Sequence, residues 1–125
     1  MGGHGTNILL QLDPSYFASA APSAGTGRPQ DEDFIDAAVI KDIPIWAFHG
    51  DQDKVCPIEP EQKLFAEMQS LRGKMKLTTW VGDGHGVAAK LITGADNGST
   101  QLSSDRCDLE PVLMKWLFAQ KRTSN

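Results

Sequence analysis

The chain lacks the features that would tie it to a membrane, a nucleic acid or a metal. No apolar run approaches the roughly 20 residues that cross a bilayer. Met1-Gly2-Gly3-His4-Gly5 has neither the charged start nor the apolar stretch of a signal peptide, although a chain missing its front end would lack a leader as well. Basic residues are fewer than acidic ones, 12 against 16, and they are scattered, so a formal net charge of −4 leaves no footprint for a phosphate backbone. Neither nucleic acid nor a membrane is an expected partner. Cysteine is scarce: Cys56 and Cys107 lack metal-site spacing and are too few to indicate an oxidising compartment. Free or buried thiols are the simpler expectation for them, and a disulfide is the other. No metal or organic cofactor is indicated, and no internal repeat or low-complexity tract is present.

What remains is of ordinary globular make-up. With 40% hydrophobic and 22% charged residues over 125 positions, the chain can build one modest core, and a single domain over 1–125 is expected. Ile8, Leu9 and Leu12 recur at helical spacing and predict a helix over 4–12, stopped by Asp13-Pro14 because a residue before proline avoids the helical region. Phe17-Ala18-Ser19-Ala20-Ala21, closed by Pro22, predicts a short buried strand. Residues 23–37 turn polar, with Gly25, Gly27, Pro29 and the acidic run Asp31-Glu32-Asp33, and predict a surface loop.

Pro44-Ile45-Trp46-Ala47-Phe48 is almost uninterruptedly apolar, as a parallel strand covered on both faces should be. A helix is predicted from Pro60, with Leu64, Phe65, Met68 and Leu71 as its apolar stripe and Gly73 as its stop. Residues 75–81 have the β-branched and aromatic content of another strand. Residues 94–104, rich in Gly, Asn, Ser and Thr, predict a second surface loop. Leu109, Val112, Leu113, Trp116 and Leu117 then repeat as the apolar face of a helix, with Pro111 in its first turn and Lys121 and Arg122 at its end. Trp46, Trp80 and Trp116 are expected to fill the core. The alternation predicts an α/β fold, a parallel sheet of about three strands flanked by helices. So small a sheet leaves an edge to cover, by a second copy of the chain or by a missing N-terminal half.

In such sheets, ligands and reacting groups gather at the C-terminal ends of the strands. Two polar loops occupy that place: His49-Gly50-Asp51-Gln52-Asp53 and Gly82-Asp83-Gly84-His85-Gly86. An acyl-transfer site needs an imidazole to take a hydroxyl proton and a carboxylate on its other nitrogen to fix the tautomer and stabilise the imidazolium. An acid on one loop and a histidine on the next meet that need, with glycines letting the histidine loop turn sharply. Asp53 and His85 are the candidates. Asp51 is the runner-up acid, and Asp83 reads as a turn residue. His49 and His4 read as structural, His49 by satisfying backbone groups at the strand end. Ser15, Ser19 and Ser23 do not stand in a nucleophile-elbow sequence.

At these residues the chain resembles the α/β-hydrolases, particularly the dienelactone-hydrolase-like and prolyl-oligopeptidase-like esterases described as phospholipase/carboxylesterase or polyhydroxybutyrate-depolymerase relatives. Ile45-Trp46-Ala47-Phe48-His49-Gly50-Asp51-Gln52-Asp53-Lys54-Val55 looks like the family's strand followed by H-G-x-x-D, and Gly84-His85 looks like its late G-H. Met1-Gly2-Gly3-His4-Gly5 looks like the tail of its nucleophile elbow, G-x-S-M-G-G. The resemblance implies the C-terminal part of an α/β-hydrolase fold, with Asp53 as triad acid, His85 as general base and a small-molecule ester as substrate. It places the family's serine immediately before Met1, outside this chain, and makes Met1 a backbone donor of the oxyanion hole; as a chain terminus, Met1 would carry an amine instead. By the family's mechanism, the chain alone should then be nearly inactive. Either the sequence is an excerpt of a longer reading frame, or a short natural chain rebuilds its sheet by association as a homo-oligomer. The alternative from another class is a non-catalytic binding or assembly module derived from the same fold.

Overall fold

The run Ile45-Trp46-Ala47-Phe48 begins a strand buried at every position, as a parallel strand covered on both faces must be. A computed structural model of the chain describes residues 6, 9–23, 35–86 and 97–120. Within them the elements run α1 (Ala37–Ile40), β1 (Ile45–Gly50), α2 (Glu59–Ser70), β2 (Met75–Trp80), β3 (Gly98–Leu102) and α3 (Leu113–Ala119). The sheet has the order β1-β2-β3. β1 and β2 pair in parallel from Ile45 opposite Met75 to Gly50 opposite Trp80, and β3 runs antiparallel to β2.

Strand side chains alternate between the two faces, and each face has its own core. Ile45, Ala47, Met75 and Leu77 meet Leu64, Phe65 and Met68 of α2, together with Ile40, Ile43 and Leu10. Trp46, Phe48 and Trp80 meet Leu113 and Trp116 of α3. The three tryptophans thus fill the core as their composition implied. Lys76 also lies on this second face, its ammonium 3.5 Å from the centre of the Trp46 ring and donating to the Glu110 carbonyl at 2.8 Å.

The predicted strand at 17–21 is only partly realised. Ala20 and Ser23 bridge in parallel to Ile45 and Phe48 on the free edge of β1. Pro22 lies between them with a carbonyl that accepts from Phe48 at 3.0 Å but no amide to return, so a continuous ladder does not form. The predicted loop at 94–104 requires a larger correction. Residues 94–96 lie outside the described ones, but Gly98–Leu102 is a strand whose five residues are all exposed. Its polarity reflects an edge position, not a lack of pairing. Thr78 and Thr100 share a side-chain hydrogen bond of 2.7 Å across the ladder. Gly98 has no side chain where one would stand 2.6 Å from the Trp80 ring.

The loop predicted at 23–37 lies outside the described residues over 24–34. At its end it is already core, because Ile35 and Ala37 are buried and the Asp36 side chain caps α1 through the Ala38 amide. Of the helix predicted over 4–12, residues 9–12 are helical, yet Leu10 rather than Leu9 or Leu12 faces the core.

Helix α2 starts as predicted, with Pro60 in its first turn. It ends differently. Arg72, not Gly73, takes the left-handed conformation, at φ 53°. The Gly73 amide reaches back to the Met68 carbonyl at 2.8 Å and the Arg72 amide to that of Gln69 at 3.2 Å, a Schellman closure. Gly73 leaves room for the Met68 side chain, whose Cε would stand 2.6 Å from a Cβ there. Helix α3 starts later than the apolar spacing suggests. Asp108 binds the Glu110 amide and Glu110 binds the Val112 amide, while Pro111 holds Glu110 out of the helical region. Leu109 is consequently left 74% exposed. Cys56 and Cys107 are free thiols, and Cys107 Sγ donates to the Met75 carbonyl at 3.3 Å. Among the described residues, no helix is long and apolar enough to cross a membrane.

Candidate active site

Because β1 and β2 are parallel and end level at Gly50 and Trp80, the loops that follow them emerge at one rim of the sheet. Hydrogen bonds lock the two together. The Asp51 amide donates to the Trp80 carbonyl at 3.2 Å, the Gln52 amide to that of Asp83 at 2.9 Å, and the Gly82 amide to Asp51 Oδ1 at 2.8 Å. Gly82 makes the turn with φ +83°, a conformation open to glycine. The second loop then folds back over Gly50 so closely that a side chain there would run into the carbonyls of Asp83 and Gly84.

That return brings His85 onto Asp53. Nδ1 of His85 donates to Asp53 Oδ2 at 2.9 Å. The other carboxylate oxygen, Oδ1, accepts the amides of Val55 at 2.9 Å and Cys56 at 2.8 Å. Burial alone would push the Asp53 carboxyl up, but the Cys56 amide, His85 and the Val55 amide together hold it below the ordinary carboxylate range. Asp53 is therefore an anion with a fixed orientation. The His85 side chain is 40% exposed, and its protonated Nδ1 leaves Nε2 as a lone-pair base facing away from the carboxylate.

The remaining candidates have other roles. Asp51, the runner-up acid, is engaged with the Gly82 amide. Asp83 braces its loop by accepting from Asn97 Nδ2 at 2.9 Å. Met1 and His4 lie outside the described residues. Among the described residues, His85 is hydrogen-bonded to none of Ser15, Ser19 or Ser23, and no group of three potential ligands is placed to hold a metal ion.

His49 is fully buried and does satisfy a backbone group, with Nε2 donating to the Cys56 carbonyl at 2.6 Å. It also does more: the same Nε2 lies 3.4 Å from Asp53 Oδ2, and Nδ1 lies 3.7 Å from Oε2 of Glu61. Glu61 was not singled out by the sequence reading. It is buried on α2, and its Oε1 has no hydrogen-bond partner. Leaving a buried acceptor unsatisfied costs roughly 1–3 kcal/mol. The signal was available: Glu61 is in phase with Leu64, Phe65 and Met68, so the apolar stripe of the helix carries an acid toward the sheet.

The three-stranded sheet with its parallel pair and flanking helices matches part of an esterase, so the chain is a fragment of an esterase-like fold. A solved structure titled as that of a thermostable esterase supports this: it is 30% identical to the chain over 95% of its residues and superposes with a TM-score of 0.64. The chain spans 28% of the length of that protein. No family model matches the chain, and no curated protein does.

Proposed function

We propose that the chain supplies the acid and the base of a serine-type carboxylic ester hydrolase: Asp53 as acid, His85 as general base, and as nucleophile a serine outside these residues. The observation that carries this reading is the 2.9 Å bond from His85 Nδ1 to a buried Asp53 carboxylate at the shared rim of β1 and β2. The likeness to part of an esterase supports it.

In this reading, Nε2 of His85 takes the serine proton as the hydroxyl oxygen attacks the ester carbonyl. Asp53 stabilises the resulting imidazolium through Nδ1. The proton then passes to the departing alkoxide, and water, activated by the same nitrogen, releases the acyl group. By the resemblance, the amide nitrogen of Met1, next to that serine, would face the tetrahedral oxyanion.

Hydrolysis of a short-chain p-nitrophenyl ester by a polypeptide that carries the chain with a Gly-x-Ser segment directly before Met1, with His85→Ala as control, tests the proposal. Activity lowered at least about 10³-fold by that change supports it. A background rate that His85→Ala leaves untouched favours the non-catalytic module. Sequencing the reading frame upstream of Met1 for Gly-x-Ser separates an excerpt of an enzyme from a short product that gains its nucleophile by association.

A further inference from the structure

Behind Asp53 lie a second imidazole and a second carboxyl that the chemistry above leaves unused. Three polar groups face His49: the Glu61 carboxyl from α2, and the Asp53 carboxylate and the Cys56 carbonyl from the loop after β1. Its partner across the sheet is the uncharged Thr79. The Cys56 carbonyl can only accept, so at 2.6 Å it keeps a proton on Nε2 of His49 in every state. Any further proton must go to Nδ1, and the polar group before Nδ1 is Glu61 Oε2 at 3.7 Å. One proton therefore has two places, His49 Nδ1 or the Glu61 carboxyl. On Nδ1 it makes an imidazolium between two carboxylates, 3.4 Å from Asp53 Oδ2, the oxygen that also takes His85 Nδ1 at 2.9 Å.

We propose that Glu61 holds this proton on His49 and, through the imidazolium so formed, sets how strongly Asp53 grips His85. Glu61 is then a positioning residue, and its role rests on the reading of Asp53 and His85 as acid and base. Burial draws the His49 ring down, but the Glu61 carboxyl, the Cys56 carbonyl and the Asp53 charge carry it above the ordinary imidazole range. Burial pushes the Glu61 carboxyl up, against the opposing pull of His49. With the proton on His49, Asp53 divides its charge between two imidazoles, and its bond to His85 is weaker than an isolated pair would make.

Long-range 1H–15N spectra of the three histidine rings, recorded against pH on the 125-residue chain, read this directly. Glu61→Gln keeps the shape and removes the charge. The titration midpoint of His49 should fall by about one pH unit or more. The downfield resonance of the His85 Nδ1 proton should move further downfield as its bond to Asp53 tightens. An unmoved His85 resonance in a Glu61→Gln protein with a native amide spectrum overturns the proposal. If Glu61→Gln does not fold, His49→Gln removes the same positive charge and must give the same downfield move; its absence overturns the proposal equally. Asp53→Asn tests the underlying pair separately. It must abolish the downfield resonance, and persistence of the signal would sink the acid–base reading rather than the role of Glu61.

Discussion

Gly50 and Asp83 are in backbone contact: a side chain on the first would occupy the place of the carbonyl of the second, whose carbon would lie 2.8 Å away. The contact is what allows the loop after β2 to bend back far enough for His85 to meet Asp53.

Gly50→Ala should therefore displace the histidine loop while leaving β1 and β2 in register. The expected cost is about 1–3 kcal/mol of stability, as for other insertions into closely packed sites. Urea unfolding measures that cost. The variant should also lose the downfield proton signal of the Asp53–His85 bond, and a retained signal would show that the loop has another way to close.

The Asp53 carboxyl has a folded-state value below its unfolded one, near 3.9. Its stabilising contribution is thus fully present above about pH 4 and is lost as pH falls through the lowered folded value. Asp53→Asn should reduce stability at neutral pH and flatten the fall below pH 4. Thermal unfolding of both proteins between pH 2 and 7 checks this, and parallel curves would contradict it.

Arg72 adopts a left-handed backbone that glycine takes without penalty, and its side chain is bonded to Asp105 at 2.7 Å on the exposed surface. Arg72→Ala and Arg72→Gly both remove that bond. The glycine variant should be the more stable of the two by about 1 kcal/mol. Equal stabilities would mean that the left-handed turn at the end of α2 carries no strain.

If a second copy of the chain completes the sheet, the outer side of β3, unpaired among the described residues, and the exposed Leu109 and Phe118 are where cover is needed. Size-exclusion chromatography with light scattering should then give a mass at least twice the chain's 13.6 kDa. A clean monomer with a single cooperative unfolding transition would count against association.

The part of the fold legible in the sequence is the part where burial and hydrogen bonding agree. Residues 45–48 are apolar because both faces of β1 are covered, and the two polar loops after β1 and β2 had to share a rim once those strands were taken as parallel. β3 was hidden because an edge strand is polar wherever it meets water, although each of its five residues stands opposite one of β2. Arg72 was hidden because an unusual backbone angle leaves no mark when the residue is not glycine. The late start of α3 is written in Asp108, Glu110 and Pro111, whose local bonds compete with the helix that the spacing of Leu109 and Val112 advertises. Of the candidate site, the meeting of Asp53 and His85 was legible by type and order, whereas Glu61 went unread although it stands in phase with the apolar stripe of α2.

The chain's three tryptophans all lie in the cluster beneath α3. Intrinsic fluorescence is for that reason a one-sided reporter. It follows the docking of α3 onto the sheet and is blind to α2, which carries Glu61 on the opposite face. Loosening around His49 would pass unseen in emission spectra yet register in far-ultraviolet circular dichroism as the twelve-residue α2 melts, so a gap between the two unfolding curves would locate the weaker side of the sheet.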